Sequence, residues 1–294
     1  MQQQGSELVE VLADGMGFTE GPVVMPDGRV ALVSMDQGCV HIIDPAGGPA
    51  DRVEVGGGPN GLAVGPDGAL YVAQNGGIFY GREKCEPGVQ VIRDGTVEYW
   101  ATGMGAPNDL AFGPDGRLWV TDTRAEMDVR DPKSHVEGWI WVCEPDGTAE
   151  PVVTDGPVFL NGIGFDPAGK LLVTGTMQRN LLVYDPADLG APPKLLHSFE
   201  QGWPDGLAIG PAGRILVALT AADRLDVLEP SGERITVLDL PTRSVPTNVS
   251  IGPNREAFIT ASGTGSLLRA SMSEEARMLL RFPSSAESLL DGIS

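Results

Sequence analysis

The sequence predicts an all-β fold, a six-bladed β-propeller built from four-stranded antiparallel blades and closed by an N-terminal strand. One observation behind this prediction is a repeat, in which a Glu, Asn or Asp precedes a short apolar run, a Gly/Pro turn and a second apolar run. The six copies begin at Glu20, Asn60, Asn108, Asn161, Asp205 and Asn248. They follow one another at intervals of 40 to 53 residues, which is the length of one propeller blade. The 40 Gly and 24 Pro residues of the chain also suit a fold with many tight turns.

The second repeat shows how one blade is built. Residues 62–64 form a short apolar strand, and residues 65–68 (GPDG) form a tight turn in which Pro fixes φ and Gly accepts a positive φ. Residues 70–73 return as a second strand, and residues 88–92 and 97–100 supply the third and fourth. Because the first strand of every propeller blade lines the central channel, the six lead residues are expected to form a ring at one rim of that channel.

The blade limits follow from the repeat. The predicted blades cover residues 20–57, 60–104, 108–156, 161–202, 205–244 and 248–272, all within one domain of residues 1–294. Residues 7–12 have the pattern of a fourth strand and are expected to complete the last blade, which removes an open sheet edge. Residues 275–282 are the alternative for that position, and residues 283–294 are expected to form a tail.

Composition limits the partners of this chain. With 40 acidic and 20 basic residues, its formal charge of −20 argues against nucleic acid or an anionic membrane surface. The N-terminal residues lack the pattern of a secretion signal, and no apolar run is long enough to cross a membrane. The three cysteines have unrelated spacings and are expected to be reduced thiols. We therefore expect a cytoplasmic protein, a monomer or weak oligomer, that acts on a small molecule.

The predicted ring has the chemistry of a cation site. Glu20 and Asp205 supply two carboxylates, and Asn108 and Asn161 supply neutral carbonyl oxygens. An all-oxygen set of this kind suits one hard divalent cation such as Ca²⁺, Mg²⁺ or Mn²⁺. Ca²⁺ is the first candidate, and Mg²⁺, Mn²⁺ and Zn²⁺ are the alternatives. No His or Cys belongs to the set, so the usual structural zinc site is disfavoured.

Ordinary turn formation is the competing explanation for part of the ring. Asn and Asp before Gly are common turn residues, and for Asn60 and Asn248 this explanation weighs as much as a binding role. Glu is a poor turn residue, so turn geometry does not account for the carboxylate at Glu20.

The lead residues lie in motifs that carry a family resemblance. These motifs are residues 19–22 (TEGP), 107–109 (PND), 160–162 (LNG) and 204–206 (PDG). Over nearly its whole length the chain resembles the gluconolactonase/regucalcin family of six-bladed propellers. The resemblance implies that Glu20, Asn161 and Asp205 bind a divalent metal at the channel mouth. It implies that Asn108 is a substrate contact or a further metal ligand.

The same resemblance implies an activity. The best-known members of this family hydrolyse lactones, and relatives with similar rings hydrolyse organophosphates. Regucalcin-like members carry an Arg two residues before the Asn of the third blade, where this chain has Ala106. This departure weakens the case for gluconolactone as the substrate, but it leaves the metal set intact. Glu126 matches the position of a substrate-contacting Glu in the loop of the third blade.

Two predicted loops are long, residues 74–87 in the second blade and residues 122–137 in the third. Both connect the second strand to the third, so they leave the sheet at the rim that carries the ring. Loops of this length are usually lids or binding loops, although solvated loops without ligand contact remain the alternative. The candidate substrate contacts at this rim are Asn60, Asn75, Asn108, Arg124 and His135.

These observations favour a metal-dependent hydrolase of a lactone or similar cyclic ester. Asp205 is the first candidate to accept a proton from the attacking water, Glu126 is the second, and His135 is the third. Two other classes remain open, a non-hydrolytic enzyme that uses the same mouth and a metal- or ligand-binding propeller without catalysis. Phe79, Tyr80 and the loop arginines favour a substrate with an apolar, aromatic or anionic portion over a free aldonolactone.

Overall fold

The computed structural model describes residues 9–128, 130–254 and 256–271. Within these residues, 24 strands form six antiparallel sheets of four strands each, and this confirms the predicted six-bladed propeller. The first half of the chain forms β1 (Val9–Ala13), β2 (Thr19–Val24), β3 (Val30–Ser34), β4 (Cys39–Ile43), β5 (Asp51–Glu54), β6 (Pro59–Val64), β7 (Leu70–Gln74), β8 (Gly88–Arg93), β9 (Thr96–Thr102), β10 (Pro107–Phe112), β11 (Leu118–Asp122) and β12 (Glu137–Cys143). The second half forms β13 (Ala149–Val158), β14 (Leu160–Phe165), β15 (Leu171–Gly175), β16 (Asn180–Tyr184), β17 (Lys194–Ser198), β18 (Trp203–Ile209), β19 (Ile215–Thr220), β20 (Arg224–Leu228), β21 (Arg234–Asp239), β22 (Pro246–Ile251), β23 (Glu256–Ala261) and β24 (Ser266–Ser271).

Each of the first five blades takes four consecutive strands, from β2–β5 in blade 1 to β18–β21 in blade 5. Blade 6 takes β22, β23 and β24, and its fourth strand is β1, which pairs antiparallel with β24. Glu10 lies opposite Arg269 in this pairing, and their side chains form an ion pair of 2.6 Å. The predicted closure by the N-terminal strand is therefore confirmed for the described part of that strand.

Three predicted segments fall wholly or partly outside the described residues. They are the first two residues of the 7–12 strand, the alternative closing segment 275–282, and the tail 283–294.

Apolar side chains hold neighbouring blades together. In every blade the second strand is the most deeply buried, while the fourth strand is largely exposed. One cluster joins Val33 of blade 1 to Val72 of blade 2. Another packs Trp119 of blade 3, which is 1% exposed, edge-on against Phe165 of blade 4 at 5.7 Å between ring centroids. Because these clusters span blade boundaries, burial of apolar surface fixes the blades into one ring.

The first strand of every blade is irregular where its lead residue lies. In all six blades the pairing between the first and second strands shifts register at that point. Such bulges change the direction in which adjacent side chains point. A side chain at Gly206 would collide with Asn248, and one at Gly61 would lie 2.5 Å from a carboxylate oxygen of Asp109. Glycine at these two positions therefore lets neighbouring first strands, with their polar side chains, approach closely around the channel.

The described part of the long blade 3 loop contains a 3₁₀ turn, Pro132–Ser134, in which the side chain of Asp131 accepts a hydrogen bond from the N–H of Lys133. In the described parts of the chain, no helix is both long and apolar enough to span a membrane.

Candidate functional site

The six lead residues begin the six innermost strands, so they lie at the same end of the channel. Five of them are between 4% and 6% exposed, and Asp205 is half-buried. The five buried residues are Glu20, Asn60, Asn108, Asn161 and Asn248. Polar and charged side chains are rarely buried to this degree unless they have partners.

Asn108 is oriented by a threonine that the sequence analysis did not identify. The Thr123 hydroxyl donates to the backbone carbonyl of Leu160 at 3.1 Å, so its oxygen is left to accept a hydrogen bond. The side-chain amide of Asn108 donates to that oxygen at 3.2 Å. With its nitrogen held in this way, Asn108 directs its side-chain carbonyl oxygen away from the threonine, where it is available to a ligand.

Asn161 repeats this arrangement one blade further on. Its amide donates to the Thr176 hydroxyl at 3.2 Å, and that hydroxyl donates to the carbonyl of Pro204 at 2.8 Å. In both blades the threonine follows its asparagine by 15 residues, a recurrence that could have revealed the pair from sequence alone. The two asparagines therefore present oxygens in matching ways.

Two of the predicted metal ligands carry strongly perturbed carboxylates. Burial raises the pKa of Glu20 well above its ordinary value, and the negative charges of Asp205 and Asp109 raise it further. The backbone N–H of Gly21 and the amide of Asn248 lower it in part. Burial and the charge of Asp109 likewise raise the pKa of Asp205, which Asn161 partly offsets. Glu20 and Asp205 thus lie close enough together for their negative charges to repel.

Asp109 is a member of this acidic cluster that sequence reasoning missed. Desolvation raises the pKa of its carboxyl to about 6. The amide of Asn248 donates to this carboxylate at 3.2 Å. Because blades 3 and 6 face each other in a six-bladed ring, this hydrogen bond crosses the channel. The sequence did contain a signal for Asp109. In most blades the lead residue is followed by Gly, but in blade 3 it is followed by Asp.

The Asp109–Asn248 hydrogen bond separates two parts of the channel. On one side lie the other five lead residues, and on the other a cavity of about 360 Å³ lined mainly by apolar first-strand residues such as Val64, Phe112 and Ile209. The pair therefore forms the floor of the site. Asn248 acts here as a side-chain hydrogen-bond donor within a strand, so turn formation does not explain it.

The chemistry of the ring fits a hard divalent cation. Burial is the first cause of the raised pKa values of Glu20, Asp109 and Asp205, and no basic side chain of the described residues is among the main causes for these three carboxyls. Among residues 9–128, 130–254 and 256–271, no three His, Cys, Asp or Glu side chains are grouped so that they could hold a metal by themselves. The candidate set instead combines the two carboxylates of Glu20 and Asp205 with asparagine oxygens, a composition typical of Ca²⁺ ligands. The assignment of these residues as metal ligands stays a prediction.

The remaining predicted contacts lie on the loops. Asn75 accepts hydrogen bonds from the N–H groups of Gly77 and Ile78 and donates to the carbonyl of Phe79, so its amide shapes the blade 2 loop. In the blade 3 loop, Nε2 of His135 is buried and has no hydrogen-bond partner among the described residues. The roles of Asn60, Asn75 and His135 as substrate contacts stay predictions.

Arg124 and Glu126 are paired with each other in the blade 3 loop. The Arg124 guanidinium lies 3.7 Å from the ring centroid of Trp139, and its Nη2 is 3.3 Å from a carboxylate oxygen of Glu126. The Glu126 side chain is largely exposed. Its role as an alternative proton acceptor and the role of Arg124 as a substrate contact also stay predictions.

Fold and site together define a class of protein, a six-bladed propeller with an acidic, amide-lined ring at one mouth of its channel. The family model described as SMP-30/gluconolactonase/LRE-like region matches residues 18–263 of the sequence, and the chain belongs to this family. Among curated proteins, none matches the sequence significantly.

Solved structures share the fold. A gluconolactonase of Xanthomonas campestris superposes with a TM-score of 0.71 at 20% identity, covering 90% of this chain and 89% of that one. A calcium-binding protein of Agrobacterium tumefaciens, regucalcin, gives a TM-score of 0.73 at 17% identity over 89% and 92% of the two chains. A luciferin-regenerating enzyme gives 0.76 at 18% identity over 91% and 96%. At these identities the structures show a common fold.

Proposed function

We propose that this protein is a divalent-metal-dependent hydrolase that opens a lactone or a similar cyclic ester at the channel mouth. The observation that carries the proposal is that two carboxylates, Glu20 and Asp205, lie at one end of the channel with two asparagines whose side-chain amides are held by threonines. Membership of a family named for gluconolactonase supports the reaction type. The name of the calcium-binding neighbour supports Ca²⁺ as the first cation to test.

The division of roles follows from the chemistry of the residues. Glu20, Asn161 and Asp205 would hold the cation, and Asn108 would contact either the cation or the substrate. A cation bound there supplies polarisation of the ester carbonyl and stabilises the negative charge that develops on its oxygen. Asp205 is the first candidate to accept the proton of the attacking water, because its carboxylate would lie beside the cation.

The reaction balances with water as the only co-substrate. The water oxygen bonds to the carbonyl carbon while Asp205 accepts one water proton. The ring C–O bond then breaks, and the proton passes to the departing ring oxygen, so the product is a hydroxy acid. The Asp109–Asn248 hydrogen bond crosses the channel below the ring, so the proposed approach of the substrate is from the loop-bearing side.

The test combines metal removal with a substrate panel. Protein stripped by a chelator should release no acid from any lactone, and addition of Ca²⁺, Mg²⁺, Mn²⁺ or Zn²⁺ should restore acid release with at least one cation. Asp185→Asn changes an exposed carboxylate that is paired with Lys170. As the matched control for the substitution of Asp205, this variant should behave as the wild type.

Two outcomes would count against the proposal. Acid release that persists after complete metal removal would exclude the metal-dependent reaction. Cation binding without acid release from any lactone would favour a non-hydrolytic enzyme or a binding propeller.

A further inference from the structure

Two aromatic pairs lie at the mouth above the ring. The rings of Phe18 and Tyr80 are stacked, with centroids 4.2 Å apart and an interplanar angle of 16°. The rings of Phe79 and Phe159 meet edge to face at 5.9 Å. Phe18 precedes Glu20 by two residues, and Phe159 precedes Asn161 by two, so both pairs lie at the end of the channel where the ring lies.

The pairs bring together parts of three blades. Phe79 and Tyr80 are carried by the blade 2 loop, while Phe18 leads into blade 1 and Phe159 into blade 4. Blades 1 and 4 face each other across a six-bladed ring. Because neighbouring residues of one loop contact both, the blade 2 loop extends over the channel mouth, and its aromatic side chains form part of the wall around the ring.

The loop is held in this position. Asn75 fixes its first turn, and Nζ of Lys84 donates to the carbonyl of Gly77 at 2.8 Å. Tyr80 and Phe159 have φ angles of 53° and 60°, in the left-handed region that non-glycine residues avoid. Strained backbone at bulky residues is retained where the surrounding structure requires their position.

The arginine at the mouth, Arg124, already has partners. The guanidinium of Arg124 is already stacked on Trp139 and paired with Glu126, so an anionic substrate group would have to compete for it. Tyr80, by contrast, is 62% exposed, and its ring lies beside the Phe18 ring. Flat apolar surface is therefore what the mouth offers without rearrangement.

From this geometry we infer that Phe79 and Tyr80 determine specificity, and that the substrate is a lactone carrying an aromatic or similarly flat apolar substituent. The substituent packs against the two aromatic pairs while the ester lies at the ring of oxygens. Edge-to-face and stacked contacts with the aromatic rings favour binding of a phenyl group. They do not stabilise the hydroxyls of an aldonolactone. This inference rests on the proposed function, since it concerns the substrate of the same site.

The test compares matched lactones on the metal-loaded protein. The probes are δ-valerolactone, the same lactone with a phenyl group beside the ring oxygen, and gluconolactone. The wild type should prefer the phenyl lactone over δ-valerolactone in kcat/KM. Phe79→Ser and Tyr80→Ser should each reduce that preference roughly tenfold. Phe79→Tyr should keep it, and so should Leu195→Ala, at an exposed apolar residue of an outer strand.

Binding separates this inference from the proposed hydrolysis. The two lactams that correspond to δ-valerolactone and its phenyl derivative are not turned over, and calorimetry measures their affinity with no reaction. If no lactone is hydrolysed, the proposed function fails, and preferential binding of the phenyl lactam that both Ser substitutions abolish still supports the aromatic wall. Equal binding of the two lactams, or a phenyl preference that survives both Ser substitutions, overturns the inference whatever the activity.

Discussion

Replacing Thr176 by Val tests whether the threonine hydroxyl orients Asn161. Valine has nearly the same shape as threonine but no hydroxyl, so the change removes two hydrogen bonds without opening a cavity. The hydroxyl donates to the carbonyl of Pro204 at 2.8 Å and accepts from the amide of Asn161 at 3.2 Å. Thr176 is only 8% exposed, so water does not readily replace either bond.

The expected loss of stability follows from the two groups left unpaired, the carbonyl of Pro204 and the amide of Asn161. A typical hydrogen bond contributes about 1 kcal/mol net, and a buried group left without a partner costs about 1–3 kcal/mol. With two groups left unpaired, Thr176→Val should lower the free energy of unfolding by roughly 2–6 kcal/mol. Thr176→Ser keeps the hydroxyl and loses one methyl group, at about 1 kcal/mol. Because the Asn161 amide loses the hydroxyl that orients it, the cation affinity of the valine variant should also fall by roughly tenfold or more.

Urea denaturation and calorimetric titration with Ca²⁺ measure the two effects separately. Thr247→Val is the matched control, since that hydroxyl joins blade 6 to blade 1 through the carbonyl of Thr19 at 2.8 Å and does not contact Asn161. It should lose stability but keep its cation affinity. If Thr176→Val binds Ca²⁺ as tightly as Thr176→Ser, the orienting role is wrong.

Three further changes probe the site. Asp205→Ala should abolish metal-dependent acid release yet stabilise the metal-free protein in urea, because its charge repels Glu20; retained activity and metal content would refute this. Between pH 3.8 and about 6, the metal-free folded protein binds more protons through Asp109 than the unfolded chain does, so the contribution of Asp109 to the free energy of unfolding should rise as pH falls through this window. Asp109→Asn should remove this contribution and so change the pH dependence of stability in urea titrations, and an unchanged slope would contradict the assignment. Shortening the loop of residues 124–135 should change the ratio of kcat/KM between two lactones more than the Ca²⁺ affinity, and the reverse result would place the loop's role in metal binding.

The blade count and the lead residues were predictable because they depend on local chemistry. Each repeat carries its own turn, so the spacing of these turns gives the number of blades without any knowledge of long-range contacts. The closing strand was predictable because blade 6 lacked one strand and residues 7–12 had a matching pattern.

The floor of the site was not predictable in the same way. Asp109 is adjacent to Asn108, and in a regular strand adjacent side chains point to opposite faces. Only the bulge in β10 allows both residues to contribute to the site. The partner of Asp109, Asn248, is 139 residues away on the facing blade, a distance that no local pattern spans.

The arrangement of the mouth was predictable only in part. Loop length indicated a lid, and composition indicated aromatic side chains there. The contacts of Phe79 and Tyr80 with opposite blades depend on the turn held by Asn75 and on two left-handed residues, neither of which the sequence identifies.

The most direct test of the central claim is an anomalous difference map from crystals of this protein soaked in Mn²⁺. We predict one strong peak at the channel mouth, in contact with carboxylate oxygens of Glu20 and Asp205 and the side-chain oxygen of Asn161. A map without a peak in this ring, from crystals of a protein that hydrolyses a lactone in the same Mn²⁺ solution, would contradict it.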